Sequence, residues 1–254
     1  MTRRCLLDAD EPPPCEVHNA AGRAPLVIVC DHAGHALPRA LGDLGLSAED
    51  LRSHIAWDIG AAGVARRLGE LLDAPVFLQR YSRLVIDCNR PLGAPDSIPE
   101  ASGGVAIAGN RGLGSESVEA RIDAVFRPYH AQIAEHVASR SSPCLIAMHS
   151  FTPVLYGVAR RVHAGVLYER DALLASRVLA RLREEPGLIV GENEPYVASK
   201  QTDYAIIEYG ERRGAPYVEL EVRQDLLAEA AGREAWAERL ASVLRAARFD
   251  LPDI

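Results

Sequence analysis

Cys144-Leu-Ile-Ala-Met-His149-Ser150 and Val27-Ile-Val-Cys-Asp-His32 are two short apolar runs that each end by presenting a histidine. Unbroken runs of this length suit strands covered on both faces, as in the sheet of an α/β protein. In such sheets ligands bind at the carboxyl edge of the strands, so two histidines far apart in sequence can meet there. A third run, Tyr217-Val-Glu-Leu-Glu-Val222, alternates apolar and acidic residues. Its period of two puts Glu219 and Glu221 on one face, where either could stand beside the histidines. A metal hydrolase is the first function that these strand ends suggest.

Working outward, further strands are expected at Val76–Tyr81, Leu84–Cys88, Val166–Tyr168 and Leu188–Val190. Helical spacing runs from Asp58 to Leu72, with Val64, Leu68 and Leu71 on one side and Asp58 as a candidate N-cap. Glu116 to Ser139 carries the stripe Val118, Ile122, Phe126, Tyr129, Ile133 and Val137, and Pro128 should kink it. Helices are also expected at Arg170–Glu184, Thr202–Arg213 and Ala228–Phe249. Strands alternating with helices imply a mostly parallel or mixed sheet covered on both faces. Pro91–Ser115 has neither period and is long for a loop, a length often found in binding loops or covers.

The 254 residues, 48% of them hydrophobic, suffice for one large domain, expected over 25–254. Residues 1–24, with Pro12-Pro13-Pro14 and mixed charges, read as a tail that hugs the surface; they lack the apolar stretch of a signal peptide or membrane span. Five cysteines, several inside strand-like runs, read as small buried hydrophobes and suggest a cytoplasmic setting. A net charge of −7 argues against a broad nucleic-acid surface. Lys200 is the one lysine among 28 basic residues, so an individual arginine is weak evidence of function.

His32 follows a strand and precedes a turn marked by Gly34 and Pro38, a junction that can hold an imidazole against an open metal position. The plainer reading is a histidine bonded to the turn backbone. His35 is a possible second ligand from the same turn. Asp58, in His54-Ile-Ala-Trp-Asp58, is the candidate third ligand, with the helix N-cap as its rival role. In Ser82-Arg83-Leu-Val-Ile-Asp87-Cys-Asn89-Arg90-Pro91, arginine and asparagine suit a carboxylate-bearing substrate, and Asp87 could orient an arginine or a ligand histidine. Surface pairing of these arginines is the alternative. His130 and His136, six residues apart on one helix, fall on different faces and read as structural or exposed. There is no His-Glu-x-x-His helix, no Gly-x-Ser-x-Gly elbow and no phosphate-binding glycine loop.

Eight pieces in order carry a family resemblance: Cys-Asp-His32-Ala-Gly, His54-Ile-Ala-Trp-Asp58-Ile-Gly, Tyr81-Ser-Arg-Leu-Val-Ile-Asp-Cys-Asn-Arg90-Pro, Ile107-Ala-Gly-Asn110-Arg, Pro128-Tyr-His130, Met148-His149-Ser-Phe-Thr-Pro, Asn193-Glu-Pro-Tyr196 and Glu219-Leu-Glu-Val-Arg-Gln-Asp225. Over roughly residues 25 to 226 the chain resembles the N-formylglutamate amidohydrolase family. The resemblance implies a three-layer, phosphorylase/hydrolase-like α/β fold with a mixed, mostly parallel central sheet, related to zinc carboxypeptidases and aspartoacylase. It implies a Zn2+ cofactor and hydrolysis of N-formyl-L-glutamate to formate and glutamate, a step of histidine catabolism.

By position the resemblance makes His32, Asp58 and His149 the metal ligands and Glu221, rather than Glu219, the general base. Arg83 is the expected catalytic cation, with Asn89, Arg90 and Asn110 as substrate-binding residues. Carboxypeptidases have a glutamate three residues after the first histidine, where this chain has His35, so Asp58 and His35 both stand as third-ligand candidates. The expected partner is a small anionic amide, with no nucleic acid and no membrane; oligomeric state is left open. Hydrolysis of another acyl-amino acid or a cell-wall peptide amide, and non-catalytic anion binding on the same fold, are the alternatives.

Overall fold

The computed structural model describes residues 6–140 and 143–249. Seven strands form the central sheet: β1 Cys15–His18, β2 Leu26–Cys30, β3 Val76–Gln79, β4 Cys144–Phe151, β5 Ala164–Leu167, β6 Val190–Glu192 and β7 Tyr217–Arg223. The helices are α1 Ala61–Leu72, α2 Ser115–Arg121, α3 Arg127–Ala138, α4 Leu173–Arg183, α5 Tyr204–Tyr209 and α6 Ala230–Phe249. Spatially the strands run β1-β3-β2-β4-β7-β5-β6. The pairings of β2 with β3, β2 with β4, β4 with β7 and β5 with β6 are parallel, whereas β1 and β5 meet their neighbours β3 and β7 antiparallel. The sheet is therefore mixed and mostly parallel, as the resemblance implies.

Every residue of β2 and β4 is buried, because helices cover both faces of the sheet. Ile28, Leu78, Ile146 and Leu220 pack on one face against Leu68 of α1, Val178 of α4 and Trp236 and Leu240 of α6. Val27, Val29, Phe77, Leu145 and Ala147 pack on the other against Tyr129 and Ile133 of α3 and Ile206 of α5. This makes three layers. Burial of such side chains, at about 1.5–3 kcal/mol each, is the main term holding the layers together. Among the described residues, no helix is long and apolar enough to cross a membrane.

Parallel register brings the functional residues to one edge. Val29 stands opposite Ala147, so Asp31 and His32, just past the end of β2, reach the level of His149 in β4. On the far side of β4, Glu221 of β7 lies opposite His149. Gly34 lets the chain after His32 pass against the next connection: a Cβ there would lie 2.2 Å from the carbonyl oxygen of Arg80.

Four local expectations are revised. Residues read as a surface tail include β1, which forms an edge of the sheet, and Tyr81 Oη donates to the carbonyl of Pro12. Residues 1–5 of that tail and 250–254 of the expected domain lie outside the described residues. Leu84–Cys88 is not a strand but a buried series of turns. Its carbonyls are met by side chains instead of a strand: Leu84 by Asn110 Nδ2 at 2.8 Å, Val85 by Arg121 Nη1 at 2.9 Å and Cys88 by His130 Nε2 at 2.9 Å. Before Pro128 the long helix opens into a π-helical turn, Ile122–Phe126, so the residue that cannot donate a backbone hydrogen bond is accommodated by a local change of ladder. Finally, α1 begins after Gly60, whose φ of +85° and contact with Leu227 exclude a side chain, and Asp58 is not its N-cap.

Candidate metal centre and active site

Release of Asp58 from capping leaves its carboxylate between the two histidines. Asp58 Oδ2 lies 3.3 Å from His32 Nδ1 and 2.9 Å from His149 Nδ1, and it accepts a hydrogen bond from the backbone N–H of Ser150 at 3.3 Å. The two imidazole rings meet edge to face with centroids 5.1 Å apart. All three residues are buried, and their nearest donor atoms lie within 4.8 Å of one another. A tetrahedral ion with bonds of about 2.0–2.1 Å spaces its ligands about 3.4 Å apart, so the two nitrogen–oxygen distances are already near the edge lengths that such an ion requires.

Carboxylates also stand behind both rings. His32 Nε2 donates to Asp87 Oδ1 at 2.7 Å, and Asp87 is in turn fixed by Arg83, whose Nε and Nη2 donate to Oδ2 at 3.0 and 2.6 Å. Behind His149, Nε2 lies 3.6 Å from Asp31 Oδ2. Asp31 is fully buried and neither of its oxygens has a hydrogen bond within the protein; His149 Nε2 has none either. A carboxylate behind a ligand histidine fixes its ring orientation and raises its basicity, which is the usual support of a metal site.

The electrostatics have the same sense. Burial works against ionised Asp58, yet the two imidazoles outweigh it and hold the carboxyl far below the usual range. Burial would likewise lower the pKa of His149, but the charges of Glu219, Asp31 and Asp58 raise it well above the ordinary histidine value. Burial raises Glu219 well above a normal carboxyl, with Asp203 adding to the effect. Burial also lifts Glu221 to about 8, with His149 and Arg83 opposing and Asp58 and Asp203 reinforcing the rise. Six buried carboxyl groups, Asp31, Asp58, Asp87, Asp203, Glu219 and Glu221, stand around two histidines and one arginine, and a divalent cation among them would favour the ionised forms of the two glutamates. Hard oxygen with imidazole nitrogen is a donor set suited to zinc.

This cluster forms the floor of a cleft of about 610 Å³. The walls come from His54 and Ile55, from Arg83, Asn89 and Arg90, from residues 150–152, 155 and 156, and from residues 195–197, 202 and 203. Glu219 and Glu221 both face into it. Arg90 is held by Asp96 at 2.7 Å and by the carbonyl of Thr202, while Asn89 Oδ1 accepts from the backbone of Ala205 at 3.1 Å.

Two expected residues lie elsewhere. His35 packs against Trp57 at 4.6 Å between ring centroids and is not part of the metal cluster. Asn110 does not line the cleft. Its amide donates to the carbonyls of Leu84 and Pro99 while its Oδ1 accepts from Arg121 at 2.7 Å, so it braces the loop that carries Arg83 to Arg90 instead of meeting a substrate. His130 braces the same loop: Nε2 donates to Cys88 O, and Nδ1 accepts from Tyr209 Oη at 3.0 Å.

Asp31, Arg121 and Asp203 were not identified from sequence. For Asp31 a signal existed, since it continues the alternation of Val27 and Val29 onto the face that carries His149. Arg121 offered none, because an arginine inside an amphipathic helix ordinarily lies on its solvated side. Asp203 had none either. It is buried at the cleft, where it accepts hydrogen bonds from Ser199 N and Thr202 Oγ1.

Comparison with known proteins assigns the family and the fold. The family model described as N-formylglutamate amidohydrolase matches residues 24–228. A crystal structure of a gene product from Agrobacterium tumefaciens superposes with a TM-score of 0.93 at 35% identity, over 96% of this chain and 98% of that one. An N-formylglutamate amidohydrolase from Ralstonia eutropha shares the fold, with a TM-score of 0.68 at 22% identity over 94% of this chain and 98% of that one. Among curated proteins none matches the chain. With most of its length matched by the family model, the chain belongs to the N-formylglutamate amidohydrolase family.

Proposed function

We propose that this protein hydrolyses the amide bond of a small N-acylated acidic amino acid, with N-formyl-L-glutamate as the first substrate to test, using zinc held by His32, Asp58 and His149. The observation that carries this reading is one cleft containing a His-Asp-His cluster, two buried glutamates and two guanidinium groups. A bound zinc ion supplies Lewis acidity toward the scissile carbonyl and lowers the pKa of water to about 7.

In this reading Glu221 accepts the proton of the attacking water and returns it to the departing amine, so that the C–N bond breaks with formate and glutamate as products. Its register opposite His149 supports the choice over Glu219, which lies one step deeper, opposite Ala147. Arg83 stabilises the developing oxyanion, a contribution of about 3–4 kcal/mol for a well-aimed donor. Asn89 and Arg90 hold a substrate carboxylate. Asp87 keeps the Nδ1 of His32 turned toward Asp58 by accepting from the opposite side of the ring. A cytoplasmic setting completes the reading, supported by free thiols at Cys15, Cys30, Cys88 and Cys144.

The test is glutamate release from N-formyl-L-glutamate by purified protein, with added zinc and after chelation. Turnover that chelation removes and zinc restores is expected. No turnover by folded, zinc-loaded protein rejects this substrate.

A further inference from the structure

Of eight large apolar side chains exposed on the described surface, five belong to two segments at the cleft: Val154, Tyr156 and Val158 on the hairpin that follows β4, and Tyr196 and Val197 in the loop that follows β6. Tyr156, Tyr196 and Val197 line the cleft itself. Tyr156 at 79% and Val197 at 71% are strongly exposed, so folding gains little from these two.

The hairpin makes the point more sharply. Its tip is the two-residue turn Tyr156-Gly157 between the paired Leu155 and Val158, with φ of +49° and +78°. Such a turn favours Asn-Gly, and a bulky side chain in the left-handed region is disfavoured. Neither turn geometry nor burial accounts for a tyrosine at this position.

Arg160 ties the two segments into one wall. Its guanidinium lies 4.7 Å from the ring centroid of Tyr196 and 5.5 Å from that of Phe151, and it donates to Tyr196 Oη at 2.7 Å. The polar wall with Arg83, Asn89 and Arg90 comes instead from the connection that follows β3. One cleft therefore has two chemically different walls around the His-Asp-His floor.

We propose that the apolar wall is a substrate subsite, and that the preferred substrate is an amino acid with a free carboxylate whose N-acyl group is an aliphatic or aromatic chain longer than formyl. This rests on the hydrolase reading above and narrows its substrate class. The carboxylate meets the arginine wall, the amide lies over the floor beside Tyr196, and the acyl chain lies along Tyr156 and Val197. A formyl group has no atom to reach them. At about 610 Å³ the cleft is in the range that encloses ligands of drug size, about 300–1,000 Å³.

The experiment is calorimetric binding of N-formyl-, N-butanoyl- and N-octanoyl-L-glutamate to the zinc-loaded Glu221→Gln chain, with and without Tyr156→Asn and Val197→Ser, alongside turnover of the same series by the protein with Glu221 intact. Affinity should rise about two- to fourfold for each methylene that reaches the wall. The two rim substitutions should flatten that rise and leave N-formyl-L-glutamate binding unchanged. Tyr156→Asn, which suits the turn, should hold or raise the thermal unfolding midpoint. Equal affinity along the series overturns the proposal. So does a rise that survives both substitutions, or substitutions that alter the oligomeric state and not the rise. The hydrolase reading fails separately, if affinity climbs with chain length but no member of the series is turned over.

Discussion

Replacing His130 by glutamine tests whether the loop that carries Arg83 to Arg90 is anchored by a buried neutral imidazole. Burial pushes His130 down to about 4, against the opposing effects of Asp31 and the Cys88 carbonyl. In the unfolded chain its pKa returns to about 6.5. Between these values the unfolded chain binds the additional proton, so His130 leaves stability untouched above pH 6.5 and reduces it as pH falls. Each pH unit below 6.5 costs about 1.4 kcal/mol, and the loss is complete below about pH 4, at about 3 kcal/mol. Urea unfolding of both proteins from pH 7.5 to 4.5 isolates this contribution, because titrations common to both cancel in the difference. The stability of wild type relative to His130→Gln should fall by about 2.5 kcal/mol across that range. Parallel stability curves would refute the buried neutral histidine.

Arg121→Met removes the donor to Val85 O, Gly109 O and Asn110 Oδ1. At about 1–3 kcal/mol for each buried acceptor left without a partner, reduced by relaxation, denaturant unfolding should show a loss of about 3–5 kcal/mol; a loss below about 1 kcal/mol contradicts the bracing role. Asp31→Asn weakens the support behind His149, so zinc affinity measured by chelator competition should drop about 10–100-fold. Unchanged affinity would mean that Asp31 does not act through His149.

The strands that carry the site were legible because burial on both faces leaves an unmistakable apolar run, and the end of such a run fixes where its histidine goes. The same signal misled at Leu84–Cys88. Branched apolar residues report burial, whereas strand pairing depends on a neighbour for the backbone; here that partner is supplied by side chains of Asn110, Arg121 and His130, which arrive from distant parts of the chain. The motif around Asn110 points to substrate, whereas its amide serves the carbonyls of Leu84 and Pro99. β1 escaped notice because four residues after a proline run carry too little pattern. The two readings of Asp58, cap or ligand, differ only by where α1 starts. Gly60 decides that, through a backbone conformation that helical spacing does not reveal.

The central claim is that His32, Asp58 and His149 form one metal site on which hydrolysis depends. Equilibrium dialysis against zinc, followed by metal analysis of the wild-type, His149→Ala and Glu221→Gln proteins, tests it most directly. One tightly held ion per chain in wild type and in Glu221→Gln, with none retained by folded His149→Ala, is the predicted result. Stoichiometric zinc in folded His149→Ala, or none in wild type, would contradict the account.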